Sequence, residues 1–169
     1  MSKENNDLWE EVVSEMYLYM EIAVNKENSY PYETVPPLRQ SFWKFTNRYN
    51  QENGIRIIPR VNQYGIDSFY EIKLGPIQDK VIQYDEPVDH DEKTFNTFVK
   101  ISADEIVGKH PEINCYRFEP LQDDPRRARL YSIALTKYLN KNEWEVFKNE
   151  KETLKNTIWI RRKLSGTIL

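Results

Sequence analysis

The sequence predicts an α+β fold. One domain over residues 1–169 is expected, with a mainly antiparallel sheet of about five or six strands packed by two N-terminal helices and a later helix at 124–140. Three observations carry that reading. Apolar residues recur at helical spacing near the N-terminus and again after Pro125; from Ile55 they fall at every second position; turn-forming residues separate the alternating runs. No internal repeat, low-complexity tract or linker divides the chain.

Asn5 to Asn25 reads as the first helix, with Trp9, Val12, Val13, Met16, Met20 and Ala23 on one face. Leu18 and Ile22 fall on its polar face, four residues apart, where they mark a contact with another element or with a partner protein. A loop with Tyr30, Pro31, Tyr32 and Pro36-Pro37 follows. Leu38, Phe42, Phe45 and Tyr49 then have the spacing of a second helix, for which Gly54 is the natural stop. Trp43 beside that stripe reads as core rim.

"IRIIPRV" and "IDSFYEIKL" flank "NQYG", the pattern of a hairpin with a four-residue connection. Counted from that turn, Ile57 faces Tyr70 and Ile55 faces Ile72 on one side, while Arg60 meets Asp67 and Arg56 meets Glu71 on the other. Gly75-Pro76 is expected to turn the chain into a third strand, "DKVIQY", and a fourth is expected near "TFNTFVKI". Ser102 and Glu105 have capping-box spacing for a short helix, and "INCYRF" reads as a strand. Asp123 or Asp124 before Pro125 is a strong helix start, with Ala128, Tyr131, Ala134, Leu135 and Tyr138 on the apolar arc. Asn142 and Glu145 repeat the capping-box spacing ahead of "WEVFKNEKETL", and "TIWIRRKL" reads as the last strand.

Composition narrows the function. The two histidines and single cysteine leave too few ligands for zinc and exclude most histidine-based mechanisms. Five glycines in no G-x-x-x-x-G-K or G-x-S-x-G context exclude phosphate-loop and hydrolase-elbow chemistry. Cys115 forms no intrachain disulfide; alternating with Ile113 it reads as a buried thiol, which fits a reducing, cytoplasmic setting. The polar, acidic N-terminal stretch lacks a signal-peptide core, and no apolar run reaches membrane-spanning length. Residues from Leu121 onward carry eleven Lys/Arg against six Asp/Glu, leaving thirteen against twenty-one in residues 1–120.

Three function classes follow. The leading expectation is a non-enzymatic cytoplasmic binding protein that acts through protein–protein contact, of inhibitor, immunity or regulatory type, with no cofactor and no metal. Its candidate contact residues are Leu18, Ile22, Tyr30, Tyr32 and the acidic loop residues Asp85, Glu86, Asp89 and Asp91. The alternative is nucleic-acid binding through a basic C-terminal patch of Arg126, Arg129, Arg161 and Lys163. Against it stand the aspartates before Arg126 and a chain pI of about 5.6. The third is a metal-dependent nuclease using Glu71 and Lys73, whose Glu-x-Lys spacing suits a Mg²⁺-holding carboxylate beside a water-activating amine.

Overall fold

The computed structural model describes residues 25–36, 42–61, 68–84, 88, 92–119, 125–148 and 157–164. In chain order the elements are β1 (Tyr32–Val35), β2 (Phe42–Thr46), β3 (Glu52–Val61), β4 (Ser68–Gln78), β5 (Val81–Ile82) and α1 (Glu92–Lys100). A π-helical segment, Ile101–Val107, continues α1, and β6 (Cys115–Phe118), α2 (Pro125–Tyr138), β7 (Trp144–Lys148) and β8 (Ile158–Arg162) follow. All eight strands belong to one mixed sheet in the order β1-β2-β3-β4-β6-β8-β7, with β5 paired to β4. Only β4 and β6 run parallel, joined through α1; the other pairs are antiparallel. This overturns the expected architecture: among the described residues a mixed eight-stranded sheet with two helices stands where a five- or six-stranded antiparallel sheet was expected. The expected first helix, Asn5 to Asn25, lies outside the described residues apart from its final residue.

The expected second helix is strand β2. Its aromatic residues satisfy both periods, because Trp43, Phe45 and Asn47 are buried at alternate positions. Pairing with β3, Trp43 opposite Ile55 and Phe45 opposite Asn53, decides between them. The Asn47 carboxamide shapes the following turn, accepting hydrogen bonds from the backbone N–H of Tyr49 at 2.9 Å and Gln51 at 3.0 Å. Asn50 takes the left-handed conformation there, at φ 61°.

The β3–β4 hairpin forms with its register moved by two residues, so Ile57 faces Ile72 and Ile55 faces Leu74. Each residue keeps its face, but Arg56 now stands opposite Lys73 and Arg60 opposite Phe69. The described pairing ends at Val61 opposite Ser68, and the expected four-residue connection lies outside the described residues. Gly75-Pro76 does not turn the chain; β4 runs on to Gln78. The reversal comes at Asp79-Lys80, both at positive φ (52° and 65°), as a two-residue hairpin turn requires. Gly54 and Gly75 are paired directly opposite one another. A Cβ on Gly54 would lie 2.7 Å from Ile82, and one on Gly75 would run into the Gln83 carbonyl. Two missing side chains thus make the hollow in which β5 lies.

"TFNTFVKI" is helix rather than strand. Phe95, Phe98 and Val99 fit the i, i+3, i+4 spacing of a buried helical face. Ser102 caps nothing: Lys100 occupies the cap position of the π-helical segment, and the buried Ser102 hydroxyl has no hydrogen-bond partner. Gly108 N–H closes the segment on the Ala103 carbonyl, five residues back, at 2.9 Å. "WEVFK" is strand β7, because the Asn140–Glu143 turn takes over the amides that a helix start would use. Asn140 Oδ1 accepts from Asn142 N–H at 2.9 Å, and its carbonyl accepts from Trp144 N–H at 2.9 Å. Strands β6 and β8 and helix α2 form where expected, with Tyr131, Ala134 and Leu135 buried.

Both helices pack on one side of the sheet, here the inner face. Phe98 meets Phe118 at 4.4 Å between ring centroids and Tyr131 at 5.0 Å; Tyr131 also meets Phe95 at 4.8 Å and Phe118 at 4.9 Å. Such ring pairs add about 0.5–1.5 kcal/mol each to the burial of their area. Tyr116 donates its hydroxyl proton to the Ile106 carbonyl at 3.3 Å, tying the π-helical segment to β6. Burial pushes the Tyr116 phenol above its ordinary range.

Candidate binding surfaces

Strand alternation sends a second set of side chains to the outer face. One row crosses five strands: Ile58 opposite Glu71, Glu71 opposite Arg117, Arg117 opposite Trp159, and Trp159 opposite Phe147. Glu71 is its electrostatic centre. Its carboxylate lies 3.1 Å from Lys73 Nζ, 3.2 Å from Arg60 Nε and 3.5 Å from Arg117 Nη1. Burial alone would raise the Glu71 carboxyl, but the Lys73 ammonium, with Arg117 and Arg60, outweighs it and holds the group below its ordinary value. Arg117 is as recessed as Glu71, each side chain 11% exposed, and reaches Glu119 at 3.6 Å and Thr157 Oγ1 at 3.4 Å.

Aromatic rings lie among these charges. Phe69 meets Trp159 edge-on at 5.1 Å, and Arg117 stands 5.8 Å from the Trp159 ring. Arg161 covers Phe147 at 4.9 Å and pairs with Glu145 at 3.0 Å. Across the β3–β4–β6–β8–β7 stretch of this face, Arg56, Arg60, Lys73, Arg117 and Arg161 stand against Glu52, Glu71, Glu119 and Glu145.

The inner face offers a cleft of about 540 Å³ where the helical layer stops short of β1–β4. Thr34, Trp43, Ile57, Pro59 and Tyr70 form its floor, and Glu105, Lys109 and His110 its wall. Glu105 accepts the Tyr32 hydroxyl proton at 2.8 Å and pairs with Lys109 at 2.7 Å. Lys109, against a smaller effect of burial and with help from Tyr32, holds the Glu105 carboxyl below its ordinary value. Burial, reinforced by Glu105, pushes the Tyr32 phenol well above its usual range.

The residues singled out from sequence scatter. Tyr30 is built into the fold: its N–H donates to Thr97 Oγ1 at 2.8 Å, its hydroxyl accepts from Arg48 N–H at 3.1 Å, and its ring stacks on Phe45 at 6.2 Å. Tyr32 joins the cleft through Glu105. Leu18, Ile22, Asp85, Glu86, Asp89 and Asp91 lie outside the described residues, as does the side chain of Arg126. Arg129 is exposed on α2, which packs on the inner face, whereas Arg161 projects from the outer face, so these two do not share a patch. Lys163 is exposed just past β8.

Glu71 and Lys73 touch each other, and the carboxylate is committed to three cations rather than presented to a metal. Among the described residues no group of three or more His, Cys, Asp or Glu side chains could hold a metal ion, and no helix is long and apolar enough to cross a membrane. Cys115 is half-buried opposite Arg161 rather than fully buried with Ile113. His110 pairs through Nδ1 with Glu112 at 3.2 Å, not with the thiol. Arg60, Phe69 and Arg117 come together as one site only through the strand order; the alternation of each strand gives their face and not their neighbours. No family model matches the chain, and no curated protein does.

Proposed function

We propose that the chain is a non-enzymatic binding protein of regulatory or inhibitory type that works in the cytoplasm. It engages another protein through the outer face of its sheet. The observation that supports this reading is the recessed Glu71–Arg117 pair ringed by Trp159, Phe69, Phe147, Arg60 and Arg161. Aromatic and arginine side chains around a desolvated centre are the composition of interface hot spots. The exposed guanidinium groups of Arg60 and Arg161 favour a partner with an acidic surface. The test is a crosslinked pull-down from the native cell with the wild type and with Arg60→Glu/Arg161→Glu. A partner retained by the wild type and lost by a folded double variant is the expected result; a monomer that retrieves nothing removes the support.

A second reading, single-stranded nucleic acid, rests on the adjacency of Trp159 and Phe147 with Arg117 and Arg161 on one sheet face. Bases stack on such rings while arginines meet phosphates. It predicts low-salt binding of a labelled single-stranded oligonucleotide that weakens with added salt and in Arg161→Glu. An unchanged anisotropy at low salt removes it.

A further inference from the structure

We infer that the cleft between the π-helical segment and strands β1–β4 is a separate site for a flat, apolar small molecule bearing a carboxylate. The volume, about 540 Å³, falls in the range that holds a single organic ligand. Its floor is apolar and partly aromatic, from Trp43, Ile57, Pro59 and Tyr70, which suits a ring system. The wall decides the polar end. Glu105 has one oxygen on the Tyr32 hydroxyl and the other on Lys109, so an incoming cation would compete with partners already in place and meet the Lys109 charge. Donors, by contrast, remain. Lys109 carries three N–H groups, its side chain is 65% exposed, and among the described residues it pairs with Glu105. His110 lines the same wall with its Nδ1 on Glu112, so the donor that the wall offers is Lys109. A carboxylate resting against Lys109 therefore completes hydrogen bonds that its ion pair leaves unmade, and Tyr32 holds the near oxygen of Glu105.

The site lies on the opposite side of the sheet from the proposed partner surface and does not depend on it. Its test uses the full chain and three probes of one shape: 2-naphthoate, 2-naphthamide and 2-naphthylmethylammonium. Titration calorimetry measures affinity, and backbone amide NMR shifts locate binding. Naphthoate is expected to bind at least about tenfold tighter than the amide, roughly the strength of one charge-assisted hydrogen bond. It should shift the Lys109 and His110 amides and lose that preference in Lys109→Ala, an exposed position whose change leaves the core intact. In Arg161→Glu the affinity should be unchanged, which separates this site from the outer face. Absent binding, equal or tighter binding of the amide or ammonium, a Lys109→Ala variant that keeps the preference, or shifts confined to the outer face would each overturn the assignment.

Discussion

Neighbouring residues of one strand serve two unlike faces. On β6, Tyr116 and Phe118 are buried against the helices, while Arg117 between them joins an ion network on the far side. On β8, Ile158 and Ile160 are buried and Trp159 and Arg161 are not. The inner face is cohesive: rings pack on rings, and apolar burial supplies the free energy. The outer face is an ion network whose desolvation cost offsets much of its Coulomb attraction, so it contributes little net stability. Stability accounts for the first face and not for the arrangement of the second, and that is why the outer face is the better place to look for a partner.

The comparison breaks or holds on three substitutions. The largest effect belongs to Phe98→Ala, which removes the ring touching both Phe118 and Tyr131. It should lower unfolding free energy in urea by about 3–5 kcal/mol. A loss below about 1 kcal/mol, the scale of ordinary surface changes, would mean that the inner face is not the cohesive one.

Next is Glu71→Gln, which leaves Arg60, Lys73 and Arg117 facing one another without their shared anion. A buried pair broken on one side costs more, but two of these cations are partly solvated, so a loss of about 2 kcal/mol is expected at neutral pH. The pH dependence has a definite sign. Because the Glu71 carboxyl is held below its ordinary value in the folded chain, its contribution is complete above that ordinary value. It fades as pH falls through the depressed folded value. Acid unfolding should therefore be shallower in Glu71→Gln; an acid limb as steep as the wild type's would place the dependence on other carboxylates.

The smallest effect is Arg161→Ala, which removes a well-exposed pair with Glu145 and should change stability by less than about 1 kcal/mol. Thermal melting checks it. A larger loss would show that the rim of the outer face is structural.

Sequence reasoning reached β6, β8 and α2 because each carries one unambiguous signal: alternation in the strands, and the Asp-Asp-Pro start in the helix. It failed where two periods fit the same residues. In α1, Phe95, Thr97 and Val99 alternate while Phe95, Phe98 and Val99 follow a helical stripe. In β2 the helical spacing of Phe42, Phe45 and Tyr49 concealed the alternation of Trp43, Phe45 and Asn47. The outer face was out of reach for another reason. Glu71 meets Arg117 only because β6 docks parallel to β4 across a helical crossover, and Trp159 joins them because β8 inserts between β6 and β7. Strand order is a long-range property that no local pattern encodes. The cleft similarly depends on where the helical layer ends.

The paired glycines Gly54 and Gly75 bear on the one error that alternation could not have caught. A two-residue slip of β3 against β4 leaves every side chain on its proper face, so the hydrophobic pattern is blind to it. In the slipped hairpin Gly54 would stand opposite Lys73 and Gly75 opposite Glu52, splitting the hollow that receives Ile82. Only the observed register brings both gaps in the side-chain layer together. The two glycines within the paired strands act as a key and its slot, selecting one alignment from several that are equally amphipathic.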